Sequence, residues 1–321
     1  MTPAESCDDG GRPDVSVVIP CLNEEDNVEP IAAAVAREFE RQPFSYEILF
    51  IDNASTDGTV ALIKAMAAGD PRIKLIANLR NFGQMRSPTY GIYNARGRAV
   101  IGMCADFQDP PALIGPLLDR WRSGAKIVLA VRESERGSPL KRLGRAVGYF
   151  YLRHFADYPV IPNATGFGLY DREVVDCLKR WNEPEPFFRG MLVESGFAIE
   201  TISYPRANRM AGQSKNNLFR LLDFMLSAIS SSSKKMLRAP FVMAAVSLLA
   251  ACATLLLALV LALYGRPFVG AIWAFVIELQ FVFLFGFLGL LGDQIRLISE
   301  RTRNVPLVIE KERVNFDVPE R

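Results

Sequence analysis

The sequence predicts an α/β domain on a mostly parallel sheet, followed by an amphipathic helix and two membrane-crossing helices. Three observations carry this. Short apolar runs alternate with helical stretches through residues 14–133. Polar, acid-bearing segments follow those apolar runs. Two long apolar stretches come late in the chain.

Residues 15–19 (VSVVI) are a short apolar run and read as a buried strand. Residues 28–40 read as a helix, 47–51 (EILFI) as a second strand, 59–68 as a helix and 73–76 as a third strand. Residues 83–95 read as a helix, 99–103 as a fourth strand, 111–123 as a helix and 127–131 as a fifth strand. Apolar strands spaced by helices make a mostly parallel sheet covered on both faces. Such sheets hold ligands beyond the carboxyl ends of their strands, so the residues after each strand are the candidates for function.

Those residues are polar. Pro20, Cys21, Leu22, Asn23 and Glu24 follow the first strand. Asp52 to Thr59 (DNASTDGT) follow the second, Cys104 to Pro111 (CADFQDPP) the fourth, and Arg132 to Arg136 the fifth. Acids beside three strand ends form a negative pocket, which a divalent ion held by carboxylate and amide oxygens would neutralise; such oxygens suit Mg²⁺ or Mn²⁺. Asp57 also reads as a helix N-cap, and Asp109-Pro110-Pro111 as a helix start. There is no GxGxxG and no GxxxxGK[ST], so neither a dinucleotide fold nor a P-loop is supported.

The totals narrow the class. Lys+Arg number 37 and Asp+Glu 35, which leaves a net charge of +2 and no basic excess for nucleic acid. Cys7, Cys21, Cys104, Cys177 and Cys252 are scattered without a CxxC pair, so they read as reduced, with no disulfide framework and no zinc site. His154 is the single histidine, which weighs against a Ser-His-Asp triad. Residues 1–13 lack the basic start and apolar core of a signal peptide and read as a disordered cytoplasmic tail.

Residues 239–264 contain no charged side chain, and residues 267–292 contain one, Glu278. Each stretch exceeds the ~20 residues needed to cross a bilayer core. Gly265 and Arg266 alone separate them, so they read as a helical hairpin. Lys234, Lys235 and Arg238 precede it, and Arg296, Arg301 and Arg303 follow, which places both termini in the cytoplasm. Glu278 is either functional or a hydrogen-bonded acid at a helix or subunit contact. Residues 217–238 carry Leu218, Leu221, Leu222, Met225, Leu226 and Ile229 on one helical face, an amphipathic helix suited to the membrane interface. Residues 293–321 form a cytoplasmic tail with a short strand at 305–309, suited to a subunit contact.

VSVVIPCLNEEDNV, FIDNASTDGT, RNFGQ and CADFQDPP resemble family 2 glycosyltransferases of the GT-A fold. The closer likeness is to the polyprenyl-phosphate glycosyltransferases, a group that includes dolichol-phosphate mannose synthase and bacterial GtrB-type enzymes. The likeness covers residues 14–313, with the GT-A domain at 14–216, and extends to TGFGLYDR and RMAGQSKNN. It implies that Pro20, Asn23, Glu24, Asp52, Asp57 and Asp106 bind the nucleotide sugar, with Asp52 near the base. Asp106 and Gln108 would hold Mg²⁺ or Mn²⁺. Asp106, Arg132 and Arg209 would serve catalysis, and Arg142, Ser214 and Lys215 would meet the lipid phosphate. Two residues depart from the pattern: Cys104 stands where relatives often carry an acid, and Asn53 replaces another.

The resemblance further implies transfer of a sugar from a nucleotide diphosphate sugar to a polyprenyl phosphate such as undecaprenyl phosphate, with inversion. UDP-glucose or a UDP-N-acetylhexosamine is the favoured donor, ahead of GDP-mannose. It also implies an inner-membrane location and a homo-oligomer, with a tetramer suggested. Two alternatives stand beside it: a processive polysaccharide synthase, and an inactive sugar-nucleotide-binding scaffold.

Overall fold

The structure, a computed structural model, describes residues 12–133, 161–205, 269–303 and 306–316. In chain order its elements are β1 (Val15–Cys21), α1 (Val28–Phe39), β2 (Tyr46–Asp52), α2 (Thr59–Gly69), β3 (Ile73–Asn78), α3 (Gly83–Asn94) and β4 (Ala99–Gly102). A 3₁₀ turn (Pro111–Leu113) leads into α4 (Ile114–Arg122), followed by β5 (Ile127–Arg132) and β6 (Ala164–Asp171). Then come α5 (Arg172–Lys179), α6 (Phe188–Glu194), β7 (Ile199–Tyr204), α7 (Val269–Arg303) and β8 (Glu310–Val314). The elements expected through residue 131 are all present. The fourth helix splits, because prolines at 110 and 111 open it as a 3₁₀ turn.

One eight-stranded sheet runs β7-β5-β6-β4-β1-β2-β3-β8. β1 is parallel to β2 and β4, β2 to β3, and β5 to β7. β6 is antiparallel to both β4 and β5. Successive residues of a strand face opposite ways, and the core accordingly forms two layers. Val17, Ile19, Phe50 and Leu75 pack with Ile31 and Val35 of α1, Ile63 of α2 and Leu117 of α4. Val18, Leu49, Ile51 and Val100 pack with Ile92 of α3, Val174 and Leu178 of α5 and Leu192 of α6. A Cβ on Gly91 would come within 2.8 Å of the Val18 side chain, so this glycine allows α3 to lie close on β1.

The strand expected at 305–309 is displaced. The strand is Glu310–Val314, and it pairs antiparallel with β3 of the same chain, where it forms the edge of the sheet. The apolar run at 305–309 was the misleading signal. β8 lies at an edge and keeps charged side chains, with Lys64 paired to Glu312 at 2.7 Å and Arg313 to Glu310 at 2.5 Å. An edge strand needs no apolar stripe.

The chain divides into two compact units, with the sheet in the first and α7 in the second. α7 is 35 residues long and runs past Gly292 to Arg303, into the segment expected as a tail. The amphipathic helix at 217–238 and the first apolar stretch at 239–264 lie outside the described residues. Counting only the described residues, no helix is long and apolar enough to cross a membrane.

At the amino ends of the strands, Glu47 and Lys74 form an ion pair of 2.7 Å with side chains 4% and 11% exposed. Glu47 also accepts bonds from the Ser16 hydroxyl (2.5 Å) and the Arg96 amide (2.9 Å). This ties β1, β2, β3 and the turn before β4 together. Removing one partner of a buried pair strands the other charge. Lys74→Ala is expected to cost about 3 kcal/mol of stability, read from urea unfolding.

Candidate active site

The polar segments do gather at the carboxyl ends of β1, β2 and β4. The loops after β1 and β2 are fastened to each other. Asn23 takes the left-handed conformation (φ 54°). Its amide donates to Ser55 Oγ (2.8 Å), and its Oδ1 accepts from the Thr56 amide (2.8 Å). The Glu24 amide donates to Thr59 Oγ1 (2.8 Å), and Glu25 accepts from the Gly58 amide at 2.7 Å. Asp52 is 1% exposed; its carboxylate accepts from the amide of Ser55 at 3.0 Å and from the Ser55 hydroxyl. Pro20 is half-buried at the end of β1, beside this clasp.

Asp57 braces the start of α2 from one residue before the N-cap, which is Gly58 rather than the Asp57 that the sequence suggests. Its Oδ1 accepts from the Thr59 amide (3.1 Å) and hydroxyl (2.6 Å). Burial by itself would raise the pKa of Asp57, but these bonds outweigh it and hold the carboxyl below its ordinary value.

Asn53 explains its own departure from an acid. Its Nδ2 donates to Asn81 Oδ1 (2.9 Å) and to the Gly83 carbonyl (3.2 Å), while its Oδ1 accepts from the Phe82 amide (2.8 Å) and Asn78 Nδ2 (3.3 Å). Only an amide both donates and accepts in this way. Asn53 thus holds the RNFG loop, between β3 and α3, against the end of β2.

The loop after β4 is closed on itself. Asp109 Oδ2 accepts from the Cys104 amide (3.1 Å), and Asp106 Oδ1 accepts from the Gln108 amide (3.2 Å). Phe107 between them is left-handed (φ 59°). Asp109 is 1% exposed. Its Oδ1 accepts from Arg132 Nη2 (2.9 Å) and from the Tyr204 hydroxyl (3.0 Å). Arg132 also donates from Nε to the Tyr204 oxygen (3.0 Å) and from Nη1 to Gln108 Oε1 (3.4 Å). Burial would lower the pKa of Arg132, but its bonds to Tyr204 and Asp109 outweigh that and keep it charged. Burial, then the Asp109 charge, pushes the Tyr204 pKa up to about 12. Its hydroxyl therefore keeps its proton.

Asn23, Ala54 and Phe107 are all left-handed without being glycine, one in each of three adjacent strand-end loops. Such conformations cost about 1 kcal/mol or more each; Asn163, Asn182 and Asn315 adopt them outside these three loops.

The structure brings Pro20, Asn23, Glu24, Asp52 and Asp57 to one pair of loops, and Asp106, Gln108 and Arg132 to another. Arg142, Arg209, Ser214 and Lys215 lie outside the described residues. Asp109 and Tyr204 were missed. Asp109 read as a helix start, and Tyr204 ends an edge strand far along the chain; no local pattern marks either. The oxygen donors of Asp106 and Gln108 suit a hard divalent ion. Among the described residues no three His, Cys, Asp or Glu side chains converge on a metal position.

In an α/β sheet, polar loops along the carboxyl edge mark where a ligand binds. Residues 16–179 match the model of Glycosyl transferase family 2, and the chain belongs to that family. It is a glycosyltransferase. It is 30% identical over 301 residues to an uncharacterized glycosyltransferase, YkcC, of Bacillus subtilis, covering 92% of each chain. It is 33% identical over 306 residues to a prophage-derived bactoprenol glucosyl transferase of Shigella flexneri, covering 92% of this chain and 97% of that one. Among solved structures it is similar to glucosyl-3-phosphoglycerate synthase from Mycobacterium tuberculosis at 20% identity and a TM-score of 0.46, covering 68% of this chain and 77% of that chain.

Two outcomes follow from the loop contacts. Asn53→Asp puts a carboxylate against Asn81 Oδ1 and the Gly83 carbonyl and is expected to lower stability by about 2 kcal/mol, read from thermal or urea unfolding. Asp57 has a depressed folded-state pKa, so its contribution is present above the unfolded value of about 4 and is lost as pH falls through the folded value. Asp57→Asn is expected to remove that part of the acid dependence of Tm below about pH 4, measured by a melting series in pH.

Proposed function

We propose that this glycosyltransferase moves a sugar from a nucleotide diphosphate sugar onto a membrane polyprenyl phosphate such as undecaprenyl phosphate. UDP-glucose or a UDP-N-acetylhexosamine is the donor. The likeness to the bactoprenol glucosyl transferase of Shigella flexneri carries this reading, because it spans more than nine-tenths of both chains.

In this reading Pro20, Asn23, Glu24, Asp52 and Asp57 shape the nucleotide site, with Asp52 toward the base. A divalent ion held by Asp106 and Gln108 would supply positive charge to the diphosphate as it leaves. Arg132 and Arg209 face the developing phosphate charge. Arg142, Ser214 and Lys215 hold the acceptor phosphate. An oxygen of that phosphate attacks the anomeric carbon, the bond from that carbon to the diphosphate breaks, and its electron pair leaves with the nucleotide. Attack from the opposite face inverts the anomeric centre. No general base is needed, since a phosphate monoester with a second pKa of ~6 is already anionic at pH 7.

The acceptor also accounts for the apolar stretches. A polyprenyl tail stays in the bilayer, so its phosphate lies at the interface. Two spans at 239–264 and 267–292, with an interfacial helix at 217–238, hold the catalytic domain at that depth on the cytoplasmic side. Tethering raises the effective concentration of acceptor without new contacts. The sequence from Val269 to Gly292 has a single charged residue, Glu278, and that composition is what supports the second span.

The test is a donor panel with undecaprenyl phosphate and Mg²⁺ or Mn²⁺, read by the mass of the lipid product. One hexose or N-acetylhexosamine added per lipid is expected. Asp106→Ala should lower turnover by about 100-fold or more with the fold intact. A long polymer would instead favour a processive synthase, and no lipid-linked product from any donor would overturn the proposal.

A further inference from the structure

We infer that Tyr204 is a positioning residue for the loop that binds the metal, acting through Asp109 and Arg132; this rests on the reading of Asp106 and Gln108 as metal ligands. The loop runs from Cys104 to Asp109 and is closed by the bond from the Cys104 amide to Asp109 Oδ2 at 3.1 Å. Asp106 and Gln108 lie inside that ring, so their placement follows the orientation of the Asp109 carboxylate. The other oxygen of that carboxylate is fixed from outside the loop, by Arg132 at the end of β5 and Tyr204 at the end of β7. Tyr204 joins both: its hydroxyl donates to Asp109 Oδ1 at 3.0 Å and accepts from Arg132 Nε at 3.0 Å. That second bond turns the guanidinium so that Nη1 reaches Gln108 Oε1 at 3.4 Å.

The hydroxyl is itself held still. Tyr204 is 2% exposed, and its ring meets Phe167 edge-on with centroids 5.8 Å apart. A rigid ring fixes where its oxygen sits, and a buried hydroxyl that bonds a carboxylate and a guanidinium together sets both. Arg132 bonds the proposed ligand Gln108 directly, and Tyr204 sets Arg132; groups that bond a metal's ligands typically change metal affinity by 10–100-fold when removed. The substitution at Cys104 sharpens the dependence. With a thiol in place of a possible carboxylate, the loop has fewer anionic oxygens to hold an ion, so the exact setting of Asp106 and Gln108 matters more.

Tyr204→Phe keeps the ring on Phe167 and deletes the hydroxyl. The full-length protein in detergent is titrated with Mn²⁺ in the presence of UDP, and free Mn²⁺ is read by electron paramagnetic resonance without turnover. The variant is expected to bind Mn²⁺ about 10-fold more weakly. The Mn²⁺ concentration for half-maximal rate should rise in parallel, while KM for polyprenyl phosphate stays as in the wild type. Arg132→Lys keeps the charge but loses the planar fork, and should weaken Mn²⁺ binding in the same way. Wild-type Mn²⁺ affinity in Tyr204→Phe, with only a lowered Tm, overturns the inference and leaves Tyr204 a packing residue. Failure of the wild-type chain to bind Mn²⁺ overturns the metal reading itself, and the inference with it.

Discussion

Asp109 accepts hydrogen bonds from three separated parts of the chain, and the carboxyl edge of the sheet is organised around it. One oxygen closes the loop that follows β4; the other gathers the ends of β5 and β7 through Arg132 and Tyr204. A carboxylate 1% exposed is costly unless each lone pair is matched. Here the cost is met by one backbone amide, one cation and one hydroxyl. The same bonds that make burial tolerable therefore fix the loop carrying Asp106 and Gln108. Stability and geometry at this edge are one set of contacts.

The two ends of the strands are built differently. At the amino ends, Glu47, Lys74 and Ser16 cross-link β1, β2 and β3 with buried polar bonds and regular backbone. At the carboxyl ends the backbone leaves its comfortable regions, at Asn23, Ala54 and Phe107. Those turns are held by side chains reaching between loops: Asn23 to Thr56, Glu24 to Thr59, and Asn53 to the RNFG loop. The rigid lower edge and the two core layers supply the support that strained turns need.

Much of this was legible in the sequence, for a physical reason. Buried parallel strands must be nearly continuous apolar runs, so VSVVI and EILFI announce themselves, and the polar residues after them mark the ligand edge. The reading failed where burial is one-sided. β7 alternates weakly and β8 is EKERV, so neither carries an apolar run. β6 contains glycines at 166 and 168, and its close pairing with β5 requires the second of them: a Cβ on Gly168 would lie 2.5 Å from the Val128 carbonyl. Asp109 looked like an ordinary helix start because the residue it serves, Tyr204, is 95 positions away. Asn53 looked like a lost acid until Asn81 and Gly83 stood beside it. Long-range polar bonds leave no periodicity behind.

β8 follows α7 in the chain and yet belongs to the sheet that precedes it. The catalytic fold is therefore discontinuous in sequence, and α7 lies within an insertion between its penultimate and last strands. Asn315 adds a latch, donating to the carbonyls of Ala67 at 2.7 Å and Ile73 at 2.9 Å. The chain leaves the sheet after β7 and rejoins it at β8, its edge strand. Trimming the chain from its carboxyl end would strip the edge of the sheet before it reached the first apolar residue of α7.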